Sequence, residues 1–428
     1  LPMLFSVMFQ QIYNIADSMI AGRFAGENAL AAVGASYPIT IIFMAFAVGM
    51  NLGASVVVSR LFGAEDRGGV KRAVTTAFLS SMVLGIILTL FGYFFNHQMM
   101  RWIHTPQNIM ADGVLYLKIY IFGIIFLMLY NVCTGVFTAL GDSKTPLYFL
   151  LGSSAGNIIL DYIFVAKFQW GVSGVAWATF IAQGVSAVLA LVTLLGRLQK
   201  FAGKEKQPWF DKKLFAQIMA IAIPSILQQS VLSVGNLFVQ GIVNQFGSAV
   251  VAGYSGAIKL NTFAINIFMT LGSCLSSYTA QNIGAGKKER IPLGFRTGVK
   301  LSELTALPFV ILYFIFSRQM MGLFLGAESV EAISAGMAFL KIVSPWYFMI
   351  VIKLMTDGII RGSGAMVYFV VATVPDLILR IGFALILTKS FGSTGIWMAW
   401  PFGWIVATAL TLIFYRKLGY KNDKSSDF

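Results

Sequence analysis

Charge is what this chain has least of. Only 11% of its 428 residues are Asp, Glu, Lys or Arg, against about 25% in soluble domains. Hydrophobic residues make up 57% and mean hydropathy is +0.79. No soluble fold of this length could hide that much apolar surface from water, so the solvent is lipid. Cysteine is nearly absent. Cys133 and Cys274 each sit in an apolar run, which excludes a disulfide framework and a zinc site, the latter needing about four ligands. The only histidines, His97 and His104, flank Arg101 and read as part of a solvated outer loop, not a metal site. A P-loop is missing too: Gly284-Ala-Gly-Lys287 lacks its spacing and its Ser/Thr. That argues against ATP as the energy source, and no cofactor is expected. Acidic residues are outnumbered 17 to 31, for a formal charge of +14. In a multispanning chain such an excess is first explained by topology, so no nucleic-acid partner is inferred.

What is present is a series of apolar runs bounded by charge or by Gly/Pro clusters. They predict an all-α integral membrane protein with twelve transmembrane helices: 1–23, 33–60, 72–96, 112–140, 145–167 and 172–197, then 213–245, 250–283, 292–317, 330–360, 366–389 and 393–416. The run already under way at Leu1 reads as a trimmed first helix rather than a signal peptide. Counted over alternate loops, twenty Lys and Arg fall on one side and five on the other. The positive-inside rule therefore puts both termini in the cytoplasm, in a multi-pass inner-membrane protein. The most polar stretch, 197–213 (RLQKFAGKEKQPWFDKK), reads as a linker between two six-helix lobes, 1–196 and 214–428.

An internal repeat supports the two lobes. Ala29-Leu-Ala-Ala-Val-Gly34-Ala35 stands 222 residues before Val251-Ala-Gly-Tyr-Ser-Gly256-Ala257, as Pro2 stands before Pro224 and Phe24 before Phe246. Phe62-Gly63-Ala64 precedes Ile283-Gly284-Ala285 by 221, and Gly171-Val-Ser-Gly174 precedes Gly392-Ser-Thr-Gly395 by the same interval. Six helices repeated in one orientation imply two pseudo-symmetric lobes, an arrangement that places substrate between them and works by rocking.

Ionisable side chains at bilayer depth are functional candidates. Three sets have helical spacing that lets them neutralise one another: Lys300 with Glu303, Lys353 with Asp357 and Arg361, and Asp376 with Arg380. The other intramembrane lysines snorkel or line a polar cavity. Asp17 and Asp161 have no basic neighbour within one helical turn. Counting from the span ends, Asp17, Asp161 and Thr179 all lie about 9 Å below the outer face, with Asn157 one turn deeper than Asp161 on the same face. Four oxygen donors at similar depth suit an alkali cation or a proton. A structural reading competes: Asn157 and Asp161 could bond neighbouring helices and Thr179 its own backbone. The second half has Val239, Arg380, Ala384 and Trp400 at the equivalent positions. A purely structural cluster would recur in both halves, which favours the functional reading.

The stretches Gln10-Gln-Ile-Tyr-Asn-Ile-Ala-Asp17-Ser-Met-Ile-Ala-Gly-Arg23 and Ala29-Leu-Ala-Ala-Val-Gly34 resemble the multidrug and toxic compound extrusion (MATE) family, as do Ser59-Arg60-Leu-Phe-Gly63-Ala64 and Gln281-Asn-Ile-Gly284-Ala285. The resemblance spans essentially all twelve helices. It implies a MATE-type fold of the MOP superfamily and secondary active efflux of small organic compounds, often cationic and aromatic, driven by inward H+ or Na+. It also implies a cation-coupling site, a candidate for Na+, at Asp17, Asn157, Asp161 and Thr179, and a hinge in the first helix at Pro2. NorM-like members are expected to carry acids in the seventh and eighth helices. Here no acid occurs between Asp211 and Glu289, and Gln228 and Gln229 stand there instead, so a DinF-like site in the first half fits better. Candidate cavity residues are Met44, Met50, Gln229, Phe268 and Met269, adaptable or aromatic side chains suited to varied drugs. The partners are drugs or toxic organic compounds and the lipid bilayer, and the protein is expected to act as a monomer and not as an enzyme. The alternative is a lipid-linked oligosaccharide flippase of the same superfamily. A membrane prenyltransferase is disfavoured because Asn157-x-x-x-Asp161 supplies only one acid where paired magnesium motifs need more.

Overall fold

The computed structural model describes residues 2–20, 24, 27–202, 208–322, 324–325 and 329–420, without the side chains of 12, 14–19, 27–30 and 201–202. Among them every regular element is helical. The first half holds α1 (Pro2–Ile20), α2 (Glu27–Gly63), α3 (Arg67–Trp102), α4 (Gln107–Phe122), α5 (Ile124–Ala139), α6 (Lys144–Asp161) and α7 (Gly171–Ala202). Then come α8 (Lys212–Val243), α9 (Ser248–Gly284), α10 (Ile291–Ile315), the short α11 (Ser317–Gly322), α12 (Val330–Val343), α13 (Tyr347–Gly362), α14 (Met366–Phe391) and α15 (Ser393–Lys417). Ten helices, or eleven with the bent pair α4–α5, are long and apolar enough to cross a membrane. α1 is nineteen residues long and is not among those helices. His97 lies inside α3 rather than in the loop where it was expected, and His104 follows the helix end.

Two spans read as continuous are broken. α4 and α5 meet at Gly123 with a bend of 47°. α12 and α13 are separated by a 3-10 turn at Ser344–Trp346, where Pro345 lacks the backbone donor that a helix requires. Gly123 and Pro345 stand 222 residues apart, so the break belongs to the repeat although its residue differs.

Contacts divide the chain into two units, 1–226 and 227–428, with the division inside α8. The stretch 197–213 is partly helical, since α7 continues to Ala202 and α8 starts at Lys212. Within the first unit α2 packs on α4 and α5, α3 on α5, α7 on α4 and α5, and α6 on α7. Within the second, α9 packs on α12 and α13, α10 on α13, α15 on α12 and α13, and α14 on α15. The two lists match element for element.

Local geometry gives the repeat its physical reason. After α2, the amides of Ala64, Glu65 and Asp66 donate to Arg60, Phe62 and Leu61; after α9, those of Ala285, Gly286 and Lys287 donate to Gln281, Ile283 and Asn282. These are the same capping bonds 221 residues apart. Gly171 and Gly392 both turn with positive φ, 55° and 60°, before the last helix of their unit, a conformation that glycine adopts at little cost. The positive-φ caps Gly141 and Gly364, however, are 223 apart. The register falls from 223 to 221 across Tyr162–Lys167, a π-helical turn that continues α6 and accommodates extra residues in the first unit.

Candidate functional site

A helix facing lipid on one side should bury its apolar or small residues against its neighbours. α6 does the opposite: its two buried residues are Asn157 and Asp161, each 1% exposed. The i,i+4 spacing stacks them on one face, and that face meets α7. Asn157 Nδ2 reaches Thr179 Oγ1 over a long 3.5 Å, and the Thr179 hydroxyl donates to Val175 O at 3.1 Å. Thr179 therefore does bond its own helix, as the structural reading held. Its proton is directed away, leaving lone pairs toward Asn157. Asn157 Oδ1 is buried with no hydrogen-bond partner among the described residues. Asp161 is a carboxylate, and a charge so enclosed costs several kcal/mol unless it is compensated.

The structure thus joins Asn157 to Thr179 and sets Asp161 one turn along the same buried face of α6. Asp17 lies on α1, which packs against α6, but its side chain is outside the described residues. No three His, Cys, Asp or Glu side chains gather anywhere among the described residues. Among the described residues the donors near Asp161 are neutral oxygens, a chemistry that suits sodium or a proton better than a divalent transition metal.

Sequence reasoning missed what adjoins the site. Thr179 also lines a small cleft with Ala176, Phe180 and Gln183 of α7 and with Tyr116, Tyr120 and Gly123 at the end of α4. The Tyr120 hydroxyl is buried without a partner among the described residues. The break at Gly123 was the available signal, because interrupted helices are where membrane proteins expose backbone and polar groups to a cavity.

The other expected residues fare differently. Pro2 is the first residue of α1, its carbonyl accepting from Ser6 Oγ at 3.1 Å. Met50 and Phe268 are fully buried, Phe268 against Phe309 and Tyr347. Core packing accounts for both. Met44 is exposed, and Gln229 and Met269 are half-buried. Of the three same-helix charge sets, Lys353 and Asp357 pair at 2.7 Å. Among the described residues no ion pair joins Lys300 to Glu303 or Asp376 to Arg380. Lys118, expected to snorkel or face a cavity, lies over the Tyr93 ring at 5.0 Å.

The MatE family model matches residues 2–163 and again 224–386, together most of the chain. A probable multidrug resistance protein of Bacillus subtilis (strain 168), YpnP, is 27% identical over 97% of this chain and 93% of its own length. The multidrug export protein MepA of Staphylococcus aureus (strain bovine RF122 / ET3-1) is 22% identical over 97% and 92%. Among solved structures, the outward-facing conformation of a multidrug resistance MATE family transporter of the MOP superfamily superposes with a TM-score of 0.92 at 22% identity, covering 97% of this chain and 93% of that one. A doubled family match, a fold shared over nearly the full length and ten or eleven membrane-length helices among the described residues lead to one conclusion: the chain belongs to the MatE family and is a multi-pass membrane transporter, not an enzyme.

Proposed function

We propose that this protein is a multidrug efflux antiporter that exports small organic compounds in exchange for H+ or Na+ entering at Asp17, Asn157, Asp161 and Thr179. The observation that carries the reading is that α6 buries only Asn157 and Asp161. Evolution of a lipid-facing helix toward burying its polar pair has a use when that pair takes up and releases a charge. With a cation bound, the carboxylate of Asp161 is neutralised and tolerated inside the unit. Without one, the charge is unfavourable there and biases the unit toward a second conformation. The relatives named as multidrug proteins support drugs as the cargo. The hinge role of Pro2 belongs to the same reading: it lacks a backbone donor and sits about 22 Å along α1 from Asp17. The two six-helix lobes, their linker, the cytoplasmic placement of the termini and a monomeric state are part of the proposal, as is the DinF-like assignment.

The test is efflux of a cationic dye from proteoliposomes under an imposed proton or sodium gradient. Gradient-driven efflux supports the antiporter. Its absence, with transbilayer movement of a fluorescent lipid-linked sugar in the same vesicles, would establish the flippase instead.

A further inference from the structure

The second unit departs from the first at the place where the ion site would repeat, and the departure has a consistent chemistry. The register of 223 set by the Gly141 and Gly364 caps pairs Asn157 with Arg380 and Asp161 with Ala384. The register of 221 set by Gly171 and Gly392 pairs Thr179 with Trp400. The contacts agree: where Asn157 meets Thr179 across the α6–α7 hairpin, the Arg380 guanidinium lies over the Trp400 ring at 4.5 Å across the α14–α15 hairpin. Ala384 removes the carboxylate of Asp161, and Arg380 supplies a positive charge in place of a neutral amide.

That charge is enclosed. Arg380 and Asp376 are each 5% exposed, and Arg380 Nε, Asp376 Oδ1 and Trp400 Nε1 have no hydrogen-bond partner among the described residues. Asp376 is one turn from Arg380 on the same helix face. Its carboxylate rests on Gly403, where a Cβ would collide with Oδ1, so α15 is cut back to seat it. On neighbouring α13, Lys353 is held by Asp357 at 2.7 Å and Arg361 lies over the Phe369 ring at 5.4 Å. Lys353 is therefore already neutralised, and Arg380, one turn from Asp376 though not in direct ion-pair contact with it, is the counter-charge on its own helix.

We propose that Arg380 is a tethered cation: stacked on Trp400 and balanced by Asp376, it fills in the second unit the place that a mobile cation takes in the first, and so limits the chain to one exchangeable cation. The inference rests on the ion-site reading above. A guanidinium cannot lose its proton at accessible pH and cannot leave, so the second unit carries no exchanging charge. Removing it leaves Asp376 as a buried carboxylate that must take up a proton or an alkali cation.

The experiment counts sodium bound and protons taken up per purified chain at fixed pH. The wild type is expected to exchange one equivalent. Arg380→Met should exchange two, Arg380→Lys one, and Arg380→Met with Asp376→Asn one again. If Arg380→Met cannot be purified, Arg380→Gln carries the same expectation. A folded Arg380→Met or Arg380→Gln that keeps the wild-type count overturns the proposal, as does a second equivalent that survives Asp376→Asn. A wild type that exchanges nothing, with one equivalent appearing in Arg380→Met, refutes the ion-site reading and leaves Arg380 as the tethered cation.

Discussion

A carboxylate and an amide enclosed at 1% exposure on the same turn of α6 make the sharpest residue-scale expectation. Asp161→Asn removes a group that binds a proton or balances a cation, and should abolish gradient-driven dye efflux while equilibrium dye binding persists. Asn157→Ala and Thr179→Ala remove neutral oxygens that sodium needs and a proton does not. Each should weaken apparent sodium affinity about tenfold, or roughly 1.4 kcal/mol, and spare part of the proton-driven transport. Efflux at the wild-type rate in Asp161→Asn would sink the assignment. A second residue-scale case lies outside the spans. Asp142 accepts from the amides of Lys144 and Thr145, both at 3.0 Å, and from Thr145 Oγ1 at 2.6 Å, and it pairs with Arg197. Burial pushes its carboxyl up, but the Thr145 bonds and Arg197 outweigh that and hold it below the usual carboxylate range. The stabilisation is therefore complete above about pH 4 and is lost as pH falls through the lowered value. Asp142→Ala should cost about 1 kcal/mol, as the loss of a helix cap does. Thermal melts should show that difference at pH 7 and lose it under strong acid.

Elements in the second unit are held by close backbone approach. A Cβ at Gly358 of α13 would fall on the Gly272 carbonyl of α9, and one at Gly362 on the Ser276 carbonyl. Small residues let membrane helices touch where lipid offers no hydrophobic drive. Gly358→Leu should separate α9 from α13 and destabilise the protein by roughly 1–3 kcal/mol, lowering the midpoint in a detergent melt, whereas the same change at Gly382, with open space around its Cβ, should not. Most of this level was legible in the sequence. Apolar runs found each span because lipid rewards a continuous apolar length. The breaks were not, since Gly123 and Pro345 look like tolerated interruptions until neighbouring helices show the bend. Nor was the π turn at Tyr162–Lys167, which alters hydrogen-bond register without altering composition. At the candidate site, i,i+4 spacing anticipated the burial of Asn157 and Asp161. The same spacing led to an ion pair being expected between Asp376 and Arg380; both are buried, but the guanidinium reaches across to Trp400 on α15, a tertiary choice that single-helix geometry does not contain.

On the scale of the whole molecule, orientation follows from where the basic residues fall once the helices are fixed. Arg60, Arg67, Lys71 and Arg72 bracket the α2–α3 connection, Lys287, Lys288 and Arg290 the α9–α10 connection, and Lys200, Lys212 and Lys213 the segment between α7 and α8. In the proposed twelve-span topology these connections share a side, while Arg101 at the end of α3 and Lys167 before α7 fall on the other. Lysine and arginine resist translocation, so the proposed topology places the crowded side in the cytoplasm. The consequence is tested in a chain whose Cys133 and Cys274 have been replaced. Lys204→Cys and Lys287→Cys should be shielded from an impermeant thiol reagent in intact cells and should react once the membrane is opened. His104→Cys should react at once. Labelling of position 204 or 287 from outside, with position 104 protected, would invert the protein in the membrane. It would also reverse the expected direction of the cation: an ion entering beside Thr179 would then come from the cytoplasm, and exchange could not draw on an inward gradient to move drugs out.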